Sequence, residues 1–297
     1  MTESHKAIAS SLLPQYSGSA AFMDRFLLAI HEDGQEIERS QNDQKIKLVD
    51  QKEIASDALD YFTSSKPKME EDFFTDISGR IGKTKANFFC DVLANDWYDG
   101  RALRNGPRVR SLKLSVYCYL SALLEDSGDI SNIVINQDNF SGVTQELSMQ
   151  DIAAILTVND QMLYQHIEAW KSQHPNVFML STDDIFIRRG LALKEELDTS
   201  VLYKEWDFLN SYSIAFSAPE KFSQMTIGSL PAIVNGNINL FKNRILFFSP
   251  FIPGMISGQL EVGVIPSLKL LPIASQGVHG GIHEYILDPA PFEINRL

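Results

Sequence analysis

An α+β fold is predicted by two contrasts within the chain. Apolar residues recur at three- and four-residue intervals through the N-terminal two thirds, the period of helices with one buried side. From Ser211 onward the composition changes: residues 211–297 hold eight of the twelve prolines and eight of the seventeen glycines, and ten of these 87 residues are charged. Glycine and proline cut this part into short β-prone runs. The expected organisation is a helical region over 1–135, a central module over 136–210 and a β-rich, low-charge region over 211–297. With 297 residues, 44% of them hydrophobic, the chain can bury a sizeable core. The excess of 38 acidic over 26 basic side chains gives −12, which argues against a surface that is basic throughout and binds nucleic acid or anionic membrane indiscriminately.

Residues 1–18 are polar and read as an arm. Phe22, Phe26 and Ile30 mark a short amphipathic helix, and 31–52, dense in both charges, reads as a solvated loop or exposed helix. No charged start followed by an apolar core is present near Met1, so a cytoplasmic location is expected. Ile54, Ala58, Leu59 and Phe62 predict a helix that stops before Pro67. Residues 79–84 spell GRIGKT, but a phosphate loop would need glycine where Ile77 stands. A turn between helices is the better reading, and no cofactor is expected.

Arg80, Lys83, Lys85, Arg101, Arg104, Arg108, Arg110 and Lys113 give residues 80–113 a net charge of +5 while the rest of the chain carries −17. Trp97 and Tyr98 lie among them. Cations interleaved with aromatics suit a phosphate backbone or single strand, so these residues are candidates for binding DNA or RNA. The bland alternative is that they pair with the acidic remainder. Leu112, Val116, Leu120 and Leu123 then mark a helix, and 133–135 a short strand. The two cysteines, Cys90 and Cys118, sit among apolar neighbours and are expected to be free thiols.

Residues 146–190 present a longer pattern. Ile152, Ala153 and Leu156 form one apolar helix side, Thr157, Val158 and Asn159 a turn with Asn159 as cap, and Leu163, Ile167 and Trp170 a second helix stripe. Residues 177–180 and 185–188, separated by a Ser-Thr-Asp-Asp turn, read as a strand pair. This arrangement resembles a winged helix-turn-helix, departing from it in having Thr157 where glycine is usual. The resemblance implies a recognition helix presenting Gln161, Gln165 and Lys171, with Arg188 and Arg189 on the wing. The segment itself carries −3, the wrong sign for a phosphate surface, so a winged helix that contacts protein is an equal alternative.

Residues 191–210 read as helix through Leu193, Leu197, Leu202, Trp206 and Leu209. Beyond them, 213–216, 238–241, 245–248, 260–265, 268–271 and 282–287 are the expected strands of an antiparallel sheet. The sixteen uncharged residues 245–260 include two prolines and two glycines, which excludes a spanning helix; no membrane contact is expected. So little charge suggests self-association or a protein partner through 211–297.

His279, His283 and Glu284 offer metal-ligand chemistry, although His-Gly-Gly-Ile-His-Glu is not the order of a zinc-binding helix. Three function classes therefore stand: a macromolecule-binding protein, with nucleic acid the first partner considered; an adaptor or structural protein binding only protein; and a metal-dependent enzyme.

Overall fold

The computed structural model describes residues 40–41, 44–45, 51–97, 106–127, 140–173, 185–197, 209–215, 217–267, 271, 273–279 and 281–287. The arm, the helix expected at 19–30, the strands expected at 133–135 and 177–180, Arg101, Arg104 and most of the helix expected over 191–210 lie outside them. The elements are α1 (Gln51–Ile81), α2 (Lys83–Asp91), a π-helical turn (Val92–Trp97), α3 (Pro107–Ser127), α4 (Met149–Gln173), α5 (Ser217–Ser223) and strands β1 (Ser40–Gln41), β2 (Gln44–Lys45), β3 (Phe186–Leu193), β4 (Asn210–Ser213), β5 (Leu230–Asn237), β6 (Ile245–Phe248), β7 (Glu261–Val264), β8 (Ile273–His279) and β9 (Ile282–Leu287). Helices and a mixed sheet place the chain in the α+β class.

Helix α1 runs through Pro67 rather than stopping before it. An interior proline costs about 3 kcal/mol. Here its ring lies on the exposed side, while Ala58, Phe62, Met69, Phe73 and Ile77 are fully buried on the other. Burying large apolar side chains contributes about 1.5–3 kcal/mol each, so packing overrides the break. Gly82, at φ 85°, then separates α1 from α2. The residues before the GRIGKT stretch are helical, whereas a phosphate loop follows a strand.

The helix-turn-helix is replaced by one helix. Residues 149–173 are continuous α-helix, and the expected turn holds neither glycine nor proline to stop it. Thr157 donates to the carbonyl of Ala153 at 2.8 Å, a bond within the helix. Asn159 caps nothing: its amide donates to the carbonyls of Ile155 at 3.2 Å and of Leu246 in β6 at 2.7 Å. Ile152, Leu156, Leu163, Ile167 and Trp170 form one buried stripe. The true start is a reciprocal cap, in which the backbone N–H of Ser148 donates to Asp151 at 2.7 Å and the N–H of Asp151 donates to Ser148 Oγ at 3.2 Å.

The described strands β3–β9 form a seven-stranded sheet in the order β6-β7-β4-β3-β5-β9-β8. Its pairs are antiparallel except β5 with β9, which is parallel and corrects the expected all-antiparallel sheet. Arg188 and Leu191 belong to the same strand, since β3 continues to Leu193 and pairs residue by residue with β5; the helix expected from 191 does not begin there. Residues 238–241 are a 3₁₀ turn capped by Asn237, whose side chain accepts from Asn239 N–H. The sheet thus joins residues on both sides of the expected division at 210/211.

Helices α1 and α4 meet the sheet at its β6 edge through aromatic rings. Phe62 lies 4.9 Å from Phe248 edge-on and 6.1 Å from Trp170, and Phe73 stacks on Phe251. Trp170 Nε1 donates to Asp57. One hydrophobic cluster extends from Ala58 to Leu287. Both cysteines are free, with Cys90 buried; burial, with Asp91 and Glu70 nearby, pushes its thiol up to about 12. Among the described residues no helix is long and apolar enough to cross a membrane.

Candidate functional site

On the opposite face, α5 crosses β3 with no side chain between them. A Cβ on Gly190 would lie 2.0 Å from the carbonyl oxygen of Pro219, so glycine is what allows the approach. Two residues before Gly190, on the same face, stands Arg188. Directly opposite it on β4 is Ser213, and opposite Ser213 on β7 is Glu261. These three therefore form a polar row across three strands on the face that α5 covers.

The π-helical turn delivers Trp97 to the far end of this row. Trp97 Nε1 donates to Glu261 Oε1 at 3.2 Å, and Ser211 Oγ donates to the same oxygen at 2.5 Å. Trp97 also packs edge-on against Phe247, whose ring occupies the space a side chain at Gly263 would need. Between this corner and α5 lies a cavity of about 340 Å³, at the lower end of the range for ligand sites. Lys113 of α3, Arg188, Arg189 and Glu261 supply its charges, Ser211, Ser213 and Thr226 its hydroxyls, and Leu191, Pro219 and Phe222 apolar wall.

Among the described residues that line this cavity, three carry positive charge and one negative, against the sign of the whole chain. Arg188 is 2% exposed and donates through Nη1 to the carbonyls of Phe186 at 3.5 Å and Ile214 at 3.4 Å, which holds the guanidinium in place. Arg189 is half-buried, and its Nη1 is buried without a hydrogen-bond partner among the described residues. A buried guanidinium N–H that is unsatisfied costs more than a neutral group does. An anionic oxygen placed there would remove that cost.

Comparisons with protein families, with curated proteins and with solved structures find no match to this chain. The arrangement of its own residues therefore carries the functional argument.

Of the residues expected to bind nucleic acid, Lys113, Arg188 and Arg189 are brought together here. The others lie on separate elements. Lys85 donates to Asp151 at 2.6 Å; burial pushes that carboxyl up, but bonds from Lys85 and Ser148 outweigh it and hold Asp151 below its usual range. Arg108 lies 3.4 Å from Asp96 and 3.7 Å from Asp91. Arg110 donates to the carbonyl of Ser141 and Arg80 to Gln161. Lys171 pairs with Glu168, while Lys83 and Gln165 are exposed.

His279, His283 and Glu284 fall on the β8–β9 hairpin, where the backbone of His279 pairs with Ile282 and that of His283 with Val278. His283 and Glu284, successive on β9, point to opposite faces. His283 Nδ1 instead lies 3.8 Å from Glu196. Among the described residues no group of three His, Cys, Asp or Glu side chains could hold a metal ion.

Sequence reasoning missed Ser211, Ser213, Glu261 and Trp97 as partners. Their association depends on strand order, which no local spacing reveals.

Proposed function

We propose that this is a non-catalytic binding protein that receives a carboxylate-bearing group of a protein partner in the cavity between β3, β4 and α5. One observation carries this reading: Lys113 of α3 and the neighbouring Arg188 and Arg189 of β3 all line one cavity within a protein of net charge −12. Burial of the arginines strengthens their attraction for an anion by lowering the local dielectric. Phe222, Met225 and Ile227, at and after the end of α5, are 46%, 57% and 102% exposed. Such apolar residues beside the cavity favour a protein surface as the carrier of the anion. Nucleic acid is the less favoured partner, because Lys85 and Arg108 are already matched by carboxylates, and a phosphate backbone needs a row of available cations.

The test is fluorescence anisotropy with a labelled twelve-residue polyglutamate and with random-sequence DNA and RNA, at several salt concentrations. Polyglutamate is expected to bind, and Arg189→Gln or Lys113→Gln to weaken it tenfold or more without unfolding the protein. Binding of nucleic acid alone, or polyglutamate binding that neither substitution changes, would overturn the proposal.

A further inference from the structure

The cavity has a second property, independent of its charge: it is a gap within the sheet. Strand β3 pairs with β5 at every residue from Phe186 to Leu193, but with β4 at one position, Arg188 with Ser213. Continuing that register would place Arg189 opposite Tyr212, Gly190 opposite Ser211, Leu191 opposite Asn210 and Ala192 opposite Leu209. Instead the strands part. Arg189, Gly190, Leu191 and Ala192 line one wall of the cavity, and Leu209, Ser211 and Tyr212 line the other.

Strand β4 is fully paired with β7 on its far side, so the edge it turns to the slot is the one that faces β3. Among the described residues, two strand edges therefore face each other across a slot without pairing, and Ala192 on its rim is exposed. Unpaired edges are the usual templates for adding a strand. Asn210 sits where pairing would have continued. It is fully buried, and neither its side-chain oxygen nor its nitrogen has a hydrogen-bond partner among the described residues.

We infer that the slot between β3 and β4 accepts an extended acidic peptide segment of a partner as an added strand, pairing with the edge Arg189–Ala192 while carboxylates on one face of it meet Arg188; Arg189, the next residue of β3, projects from the opposite face. This rests on the reading of the cavity as an anion site. Because β3 and β4 are antiparallel, the inserted strand runs parallel to one and antiparallel to the other. Its side chains alternate between the two faces, so the recognised pattern has acidic residues at every second position on the face lined by Arg188.

The probe is the peptide acetyl-Thr-Glu-Val-Glu-Thr-Glu-amide, with a control N-methylated at every second amide; the two carry equal charge but the control cannot form the ladder. Binding is measured by calorimetry, and amide hydrogen exchange is followed over 189–193 and 209–212. The parent peptide is expected to bind, to slow exchange at 189–193 by tenfold or more, and to bind at least tenfold more tightly than the control. Equal binding of both peptides, still weakened by Arg189→Gln, would overturn strand addition and leave the anion site standing. Binding of polyglutamate but of neither hexapeptide would also overturn strand addition. Failure of all three acidic probes would overturn both readings.

Discussion

Replacing Asp160 by asparagine tests how the helical layer is tied to the sheet. Asp160 lies on α4, is 7% exposed, and accepts a hydrogen bond from the backbone N–H of Asn243, which holds φ 64° in the turn before β6. Its other oxygen is buried without a partner among the described residues. Burial pushes the carboxyl up to about 6, against the lowering effects of the Asn243 N–H and of Lys242. The folded protein therefore holds a proton on this group more tightly than the unfolded chain, whose value is near 3.8. Its contribution is fully favourable below about pH 4, declines as pH rises toward 6, and stays lost above that. A shift of about two units corresponds to about 3 kcal/mol. Asparagine keeps an acceptor for Asn243 and removes the charge, but brings an N–H₂ whose burial costs about 1–2 kcal/mol. Asp160→Asn is thus expected to stabilise the protein at pH 8 by roughly 1–2 kcal/mol, with the gain gone by pH 4. Urea unfolding of both proteins at one-unit intervals from pH 4 to 8 measures it. A variant no more stable than the parent at pH 8, or a difference independent of pH, would refute the reasoning.

The other predictions concern packing and caps. Gly190→Ala forces Pro219 and α5 away from β3 and is expected to cost about 1–3 kcal/mol, visible as a lower midpoint in thermal unfolding. Phe62→Ala, which empties the contact between Trp170 and Phe248, is expected to cost about 3–5 kcal/mol by urea unfolding. Ser148→Ala removes the cap of α4 at a cost of about 0.5–2 kcal/mol. Acidification should cost stability at Asp151, because its carboxyl is held below the usual range: the contribution present at neutral pH is lost as pH falls through the folded value. That part of the pH dependence should disappear in Asp151→Asn, followed by unfolding at pH 3–6.

The α+β class was legible because helical period and glycine-proline punctuation are local properties. The stripe Ile152, Leu156, Leu163, Ile167, Trp170 was legible too, and its unbroken period contained the information that α4 is one helix. A motif-shaped reading of Thr157-Val158-Asn159 obscured it, since Asn159 serves equally as a cap and, as here, as a bridge to β6. Strand β9 was expected where it forms, but β5 and β8 were not, because a proline, two asparagines and a glycine in β5, and a serine and a glycine in β8, dilute the β-prone signal. Three of the site's cations were named from sequence. Their convergence was not readable, since it depends on β3 and β7 lying on either side of β4, and on a π-helical turn carrying Trp97 to Glu261.

The parallel pairing of β5 with β9 has a bearing on the order of assembly. After β5 the chain leaves to build β6 and β7 at the opposite end of the sheet, and returns only with the β8–β9 hairpin. Pairing between distant segments is slow because the intervening loop must close first. The antiparallel hairpin is local and forms early by itself, yet its docking along β5 waits for the rest. Until then β5 is an open border of Ile233 and Val234, and a hairpin from a second nascent chain fits it as well as the chain's own. Exchange of that hairpin between copies is the characteristic misassembly this topology invites.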